Sequence, residues 1–382
     1  MNKNNHWQPG TIRVLFALLL SSTFALPANA EIFNKFGWTE VNSGAGVMWE
    51  PRAGLQAVNH RGSFYVLGGR APKVVPETFG DSVFFDDVWK SRDSGQTWMR
   101  VSGGNGTPWA ARAYFQAVTK GRHMYVLGGQ DSTVIANPTF PTCGGALPPG
   151  VPCPEKILAS TFFNDVWRSS DGVKWKRMTA DAEWTGRAGL SAVAHRGYLY
   201  VTGGSVNDDS AIIGPGGPAR IYFNDVYRSR DGRHWELMTE AAPWEPRAGA
   251  VLVSRGKFMY LLGGEDGFVC NPSTPRCPPY FNDVWRSVDG RHWTQVTDSA
   301  GWSPRPGHQC EVMLGAFVCF GGFGLSTNPA DPFAPANPMD IQVSWNGADW
   351  IELGGTASPP WNASGPADIK YDFAAFPTYW VN

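Results

Sequence analysis

The apolar positions of this chain gather in short, strand-like runs separated by turn residues. One repeating unit shows the pattern. Ala188–His195 is a first run, which we label strand a, and Arg196-Gly197 makes a two-residue turn after it. Tyr198-Leu199-Tyr200-Val201 follows as strand b, with so little alternation that burial on both faces is expected. Strand b closes on Gly203-Gly204, and a loop of variable length leads to strand c, of the type Phe163-Asn164-Asp165-Val166-Trp167. A short turn then gives strand d, which carries another Trp, as in Asp171-Gly172-Val173-Lys174-Trp175.

The unit recurs with a fixed internal spacing. An Arg precedes a double Gly by sixteen residues in each of five copies: Arg52, Arg112, Arg187, Arg247 and Arg305 lead to Gly68, Gly128, Gly203, Gly263 and Gly321. The Trp residues extend the count. Strand d Trp occurs at 38, 98, 175, 235, 293 and 350, and a second Trp follows each one, at 49, 109, 184, 244, 302 and 361. Four short antiparallel strands per copy, repeated in this way, describe the blades of a propeller. The expectation is therefore an all-β, six-bladed β-propeller of four-stranded antiparallel blades. Full repeats fall at about 52–103, 112–179, 187–239, 247–297 and 305–353. An irregular sixth blade would form from residues 31–43 plus 364–382, closing the ring through the two chain ends and removing exposed sheet edges.

The double Gly, the Tyr ahead of it (Tyr65, Tyr125, Tyr200, Tyr260) and the downstream Trp together resemble the kelch repeat family, over nearly all of residues 31–382. The c–d turns also resemble Asp-box hairpins: Ser91-Arg92-Asp93-Ser94-Gly95-Gln96-Thr97-Trp98 has the full form, and shorter versions begin at Ser169, Ser229 and Ser287. In such a turn the Asp bonds to backbone and the Gly takes a positive φ, so these Asp residues read as structural.

Composition narrows the setting. With 45 Gly, 30 Pro and 18 Trp the chain is neither disordered nor mainly helical. Lys and Arg number 32 against 33 Asp and Glu, a net charge of −1, which argues against nucleic-acid binding or a polybasic membrane protein. Residues 1–30 read as a bacterial-type signal peptide: Lys3 and Arg13, an apolar stretch, then Ala28-Asn29-Ala30. The protein is thus expected to be exported, periplasmic or secreted, with no membrane span after cleavage and as a monomer. Six Cys in local pairs, Cys143/Cys153, Cys270/Cys277 and Cys310/Cys319, suit disulfides in an oxidising compartment. If Leu314-Gly315 is a two-residue turn, Cys310 faces Cys319 across strands a and b, with Cα atoms about 4.5 Å apart.

Connectivity sorts the loops into two groups. The d–a and b–c connections share one rim, and the tight a–b and c–d turns share the other. Length variation is concentrated in the b–c loops, as befits functional loops on a rigid scaffold. The repeated Arg starts strand a on that same rim, so Arg52, Arg112, Arg187, Arg247 and Arg305 would make an incomplete ring at a channel mouth, with Ser364 in the sixth place. Two roles stay open for the ring. It could grip carboxylates or sulfates of a ligand through bidentate bonds. It could instead bond backbone and stack on Trp to join blades. The residues just after the double Gly differ from blade to blade (Arg70, Gln130, Ser205, Glu265, Phe323), which architecture does not demand, and Arg70, Gln130 and Glu265 are the stronger binding candidates. The strand c Asp residues recur in every copy and are discounted as catalytic groups.

Two classes of function fit. The first is a binding module for a glycan or an exported protein, engaged through the b–c and d–a rim. The second is a carbohydrate-active enzyme, sugar-acid mutarotase- or epimerase-like or glycosidase-like, since the kelch and Asp-box resemblances include such exported enzymes. Its weak catalytic candidates are Glu265, Asp266 and His308, the last standing where other copies place Leu55, Phe115, Leu190 and Ala250. A copper oxidase is disfavoured because each Cys has a Cys partner in sight. No metal or other cofactor is expected.

Overall fold

The computed structural model describes residues 41, 48–78, 80–104, 108–143, 152–206, 221–267, 279–324, 338 and 340–353. These contain five four-stranded antiparallel sheets, each ordered a-b-c-d. Blade one is Gln56–His60, Ser63–Leu67, Val88–Ser91 and Met99–Ser102. Blade two is Gln116–Lys120, His123–Leu127, Val166–Ser169 and Trp175–Thr179. Blade three is Ala188–His195, Tyr198–Val206, Val226–Ser229 and Glu236–Thr239, with Ile221–Tyr222 added beside strand b. Blade four is Val251–Arg255, Phe258–Glu265, Tyr280–Ser287 and Trp293–Thr297, and blade five is Gln309–Met313, Ala316–Phe320, Ile341–Ser344 and Ile351–Glu352. The molecule is an all-β propeller of small antiparallel blades. Five blades are seen where the repeat count gives six: of residues 31–43 only Val41 is described, and 364–382, with Ser364 and Trp361, lie outside the described residues.

The hydrophobic core sits between blades. Val58, Tyr65 and Leu67 of blade one pack with Trp109, Phe115 and Trp175 of blade two, and the same partnership recurs at each described junction. Strand b is buried along its length because it packs on both sides. The double Gly marks the tightest approach. Gly128 has φ +68°, and a Cβ there would stand 2.8 Å from Leu190 Cδ2 of the next blade, so no side chain fits. The other end interlocks too: Gly290, in the c–d turn of blade four, has φ +81° and would put a Cβ 2.6 Å from Tyr200 of blade three. The repeated Tyr therefore fills the space under its neighbour's turn. Those turns hold themselves by local bonds. Ser169 Oγ accepts from Gly172 N–H at 2.8 Å, Asp171 Oδ1 accepts from the Val173 and Lys174 amides, and Trp175 Nε1 donates to Gly172 O.

Two b–c connections rise as ribbons. Arg70–Pro72 pairs with Ser82–Phe84, and Gln130–Ala136 pairs with Lys156–Phe162. The Cys143–Cys153 disulfide lies beyond the longer ribbon, and Cys310–Cys319 links strands a and b of blade five. The Cys310 and Cys319 Cα atoms are 4.1 Å apart and directly opposite, in the register set by Met313 facing Ala316. Cys270 and Cys277 lie outside the described residues. These two disulfides are consistent with an extracellular or periplasmic protein. No helix among the described residues is long and apolar enough to cross a membrane.

Candidate functional site

Strand a of all five described blades lines a central cavity of about 620 Å³. At its upper rim, where strand a begins and strand b ends, backbone links run from blade to blade. Tyr114 N–H donates to Gly54 O, Gly189 to Tyr114, Gly249 to Gly189 and Gly307 to Gly249, at 2.8–2.9 Å. All five residues of this girdle have positive φ, between 55° and 66°. Four are Gly, and Tyr114 alone carries a side chain there.

The repeated Arg residues lie just outside the girdle, and they do not form an open ring. Arg112, Arg187, Arg247 and Arg305 are at most 3% exposed, and the Arg52 side chain is 2% exposed. Each guanidinium is filled by its own blade. Arg187 donates from Nε to Thr185 O at 2.8 Å and from Nη1 to Gly203 O at 3.1 Å. It also grips the Asp225 carboxylate through Nη1 at 2.5 Å and Nη2 at 2.9 Å. The same pairing joins Arg52 to Asp87, Arg112 to Asp165, Arg247 to Asp283 and Arg305 to Asp340. A Phe two residues before the Asp stacks under the cation in four blades, 3.7–4.0 Å from Cζ to ring centroid. The backbone of the same Arg binds the preceding blade: Arg187 N–H donates to Phe163 O, and Arg187 O accepts from Gly129 N–H at 2.9 Å. Arg112, Arg187, Arg247 and Arg305 thus each rivet two blades. Of the two roles left open for Arg52, Arg112, Arg187, Arg247 and Arg305, these contacts match the structural one: a buried cation must be paired, and the strand c Asp supplies the pair inside the wall.

His308 is also in the wall. It is 1% exposed, its Cε1 would stand 2.6 Å from a Cβ on Gly263 of blade four, and its ring centroid is 5.3 Å from Trp302. No hydrogen bond of good geometry reaches either ring nitrogen, although the Arg305 backbone is near enough to offset part of the burial. Burial, with help from the Arg305 cation, holds its pKa down to about 3, so it is a neutral ring in the place of Phe115 and Leu190. This corrects its candidacy as a catalytic group, because it is packed between blades and does not face the rim.

The residues that follow the double Gly sit differently. Each is paired on one side with the Ala after the repeated Arg: Ala53 with Arg70, Ala113 with Gln130, Ala188 with Ser205 and Ala248 with Glu265. On the other side each faces an aromatic residue: Phe84, Phe162, Tyr222 and Tyr280 in the same order. Arg70 Nε donates to Tyr114 Oη of the next blade at 3.0 Å, and its Cζ stands 5.3 Å over that ring. Glu265 is 1% exposed and accepts from Tyr222 Oη of blade three at 3.3 Å and from Gly267 N–H at 2.8 Å. Burial, reinforced by the Glu265 charge, pushes the Tyr280 phenol well above the ordinary tyrosine range. Asp266 bonds through its amide to Pro279 O. The Phe323 ring lies 6.1 Å from Tyr280. Arg70 and Glu265 are therefore brought to blade junctions beside hydroxyl-bearing rings, and Gln130 and Ser205 occupy the matching places in blades two and three.

Sequence reasoning passed over Tyr114, Tyr222 and Tyr280. A signal for Tyr114 was present: it is the one side chain in a column of Gly at 54, 189, 249 and 307. It also passed over Glu311, which stands in strand a where the other blades have Val58, Val118, Val193 and Val253. Burial pushes the Glu311 carboxyl up to about 8.

No family model matches the chain. Beta-scruin of Limulus polyphemus, a kelch-repeat protein, is 27% identical over 170 residues, which is 44% of this chain and 15% of beta-scruin. The chain therefore spans only a small part of that relative. The solved structure of YjhT superposes with a TM-score of 0.54 at 15% identity, covering 80% of this chain and 84% of the other, a likeness of fold. The repeat, the blades and these two likenesses together support a kelch-like β-propeller.

Proposed function

We propose that this protein is an exported, six-bladed binding module that takes a glycan ligand at its upper rim, with the partly exposed Arg70 as its foremost polar contact and the buried Gln130, Ser205 and Glu265 behind it. One observation carries the reading. Wherever the frame needs a residue it repeats, as in the Arg, the Asp, the Gly and the Trp, whereas the position after the double Gly changes in every blade. Each of these four polar side chains is paired across the sheet with an aromatic ring. Hydrogen-bonding groups beside ring faces suit sugars, which present hydroxyls at their edges and C–H groups on their faces. The sixth blade, from residues 31–43 and 364–382, would supply the remaining segment of the rim. Export rests on the N-terminal signal pattern and agrees with the disulfides.

A second reading rests on Glu265. A buried carboxylate bonded to the Tyr222 hydroxyl, beside a phenol held protonated, is a pair able to exchange a proton with a bound sugar, as a sugar-acid epimerase-like or glycosidase-like enzyme requires. The test is calorimetric titration of the mature protein against neutral, acidic and sulfated oligosaccharides, alongside Arg70→Ala and Glu265→Gln. Saturable binding that each folded variant weakens by tenfold or more supports the rim as the site. Binding untouched by both variants overturns it, and turnover of the bound sugar, lost in Glu265→Gln, selects the enzyme.

A further inference from the structure

The near-zero net charge hides a segregation. The a–b and c–d turns make up the lower rim, and they are rich in cations. Four of the five a–b turns carry an exposed Arg or Lys: Arg61, Arg122, Arg196 and Lys257. The c–d turns of blades one to four add exposed Arg92, Lys174, Arg230, Arg233 and Arg291. Exposed acids gather at the other end, where the d–a connections carry Glu50, Asp181, Glu183, Glu240, Glu245 and Asp298, while the lower rim exposes Glu236 and Asp349.

Among the described residues, the lower-rim cations are largely left without carboxylate partners. Lys90 lies over the Tyr65 ring, Arg230 over Tyr198 and Arg286 over Phe258. Lys120 donates to Arg230 O and Arg255 to Gly315 O. Glu236 pairs with Arg228 and is 3.8 Å from Arg291. The turn residues Asp93, Asp171, Asp231 and Asp289 accept bonds from the backbone of their own turns. The described turns are short, and no long loop among the described residues rises above this face. Between the cations the tips expose apolar side chains: Val173, Val288 and, at the cation-free a–b turn of blade five, Leu314.

We propose that the lower rim is a docking face for an anionic lipid surface. Cations spread over a short-turned face match a sheet of headgroup charge, where a groove would match a single strand of polyanion. The exposed Val and Leu tips suit the boundary between headgroups and acyl chains. This proposal uses none of the upper-rim residues and stands apart from the glycan reading.

The probe is co-sedimentation with vesicles of phosphatidylcholine alone or mixed with phosphatidylglycerol. The proposal expects binding to the mixed vesicles only, lost at about 1 M salt, where charges are screened beyond about 3 Å. The variant Arg61→Asn, Arg122→Gln, Arg196→Asn, Lys257→Gln should weaken binding more than about a hundredfold, at roughly fivefold per charge. Asn is chosen at 61 and 196 because both residues have positive φ. The upper-rim pair Glu240→Gln, Asp298→Asn should keep parental binding. Equal affinity for neutral vesicles, or an unaffected and folded quadruple variant, overturns the proposal. So does capture by soluble dextran sulfate without vesicle binding, which would make the face a reader of acidic polysaccharide. If the quadruple variant fails to fold, the salt titration of the parent decides: binding that survives about 1 M salt overturns it.

Discussion

Truncating one rivet tests the structural role of the Arg ring. Arg187→Met keeps the aliphatic stem and the contact with Phe223 but removes the guanidinium. It deletes bonds to Thr185 O and Gly203 O and both bonds to Asp225. The Asp225 side chain, 16% exposed, is then left charged in the wall with no cation beside it. Breaking a buried pair by removing one partner costs about 3–5 kcal/mol, most of it the uncompensated charge. The reciprocal Asp225→Leu leaves a fully buried cation and should cost a similar amount. The double variant Arg187→Met, Asp225→Leu removes both charges and should recover to within about 2 kcal/mol of the parent, since exchanging a buried pair for apolar groups is often nearly neutral. Urea denaturation of the four proteins closes the cycle. A loss below about 1 kcal/mol in both single variants, or a double variant that falls by their sum, would refute the rivet. If instead the ring served a ligand, the single variants would lose affinity and keep the parental unfolding midpoint.

Other expectations follow from buried or strained groups. Glu311 has a folded pKa of about 8 against an ordinary 4.5, so the native state holds the extra proton and stability falls as pH rises between those values; Glu311→Val should flatten that slope in denaturation curves taken from pH 5 to 8. His308 runs the opposite way: its folded pKa of about 3 lies below the ordinary 6.5, so stability is lost as pH falls from 6.5 toward 3, and His308→Leu should blunt that acid loss in denaturation curves extended down to about pH 3. Gly128→Ala, which meets Leu190 and a positive φ at once, should cost about 2 kcal/mol or more by thermal melting. Tyr114→Gly should melt no lower than the parent, because the girdle position prefers Gly, while removing one bond of Arg70, which keeps its contact with Ser82 Oγ; a large drop in melting temperature would show that the ring, not the backbone, holds the rim.

The blades could be read from sequence because the contacts that define them repeat. The step of sixteen from Arg to Gly-Gly is fixed by one hairpin, and the double Gly is demanded at every blade-to-blade approach. The partner of the Arg was hidden by the same logic in reverse. Asp87, Asp165, Asp225, Asp283 and Asp340 lie beyond the variable loop, at separations of 35, 53, 38, 36 and 35 residues, so no constant spacing tied them to their cations. Glu265 and Arg70 stood out because they broke a column, but the rings that hold them, Tyr222 and Tyr114, are set by contacts between blades that a linear reading does not see. The polarity of the two rims escaped because summing charge along the chain cancels what folding separates.

The girdle has a consequence for how such a protein can change. Its links are all main-chain, so they ask nothing of a side chain except tolerance of a left-handed φ. The girdle's own links use no side chain of the upper-rim column, although Arg70 and Glu265 add bonds across blade junctions to Tyr114 and Tyr222. Gln130 and Ser205 can therefore be exchanged for side chains of similar size without touching the girdle, whereas changes at Arg70 and Glu265 also break bonds between blades. A library diversified at positions 130 and 205 should yield a higher proportion of folded members than one diversified at positions 70 and 265.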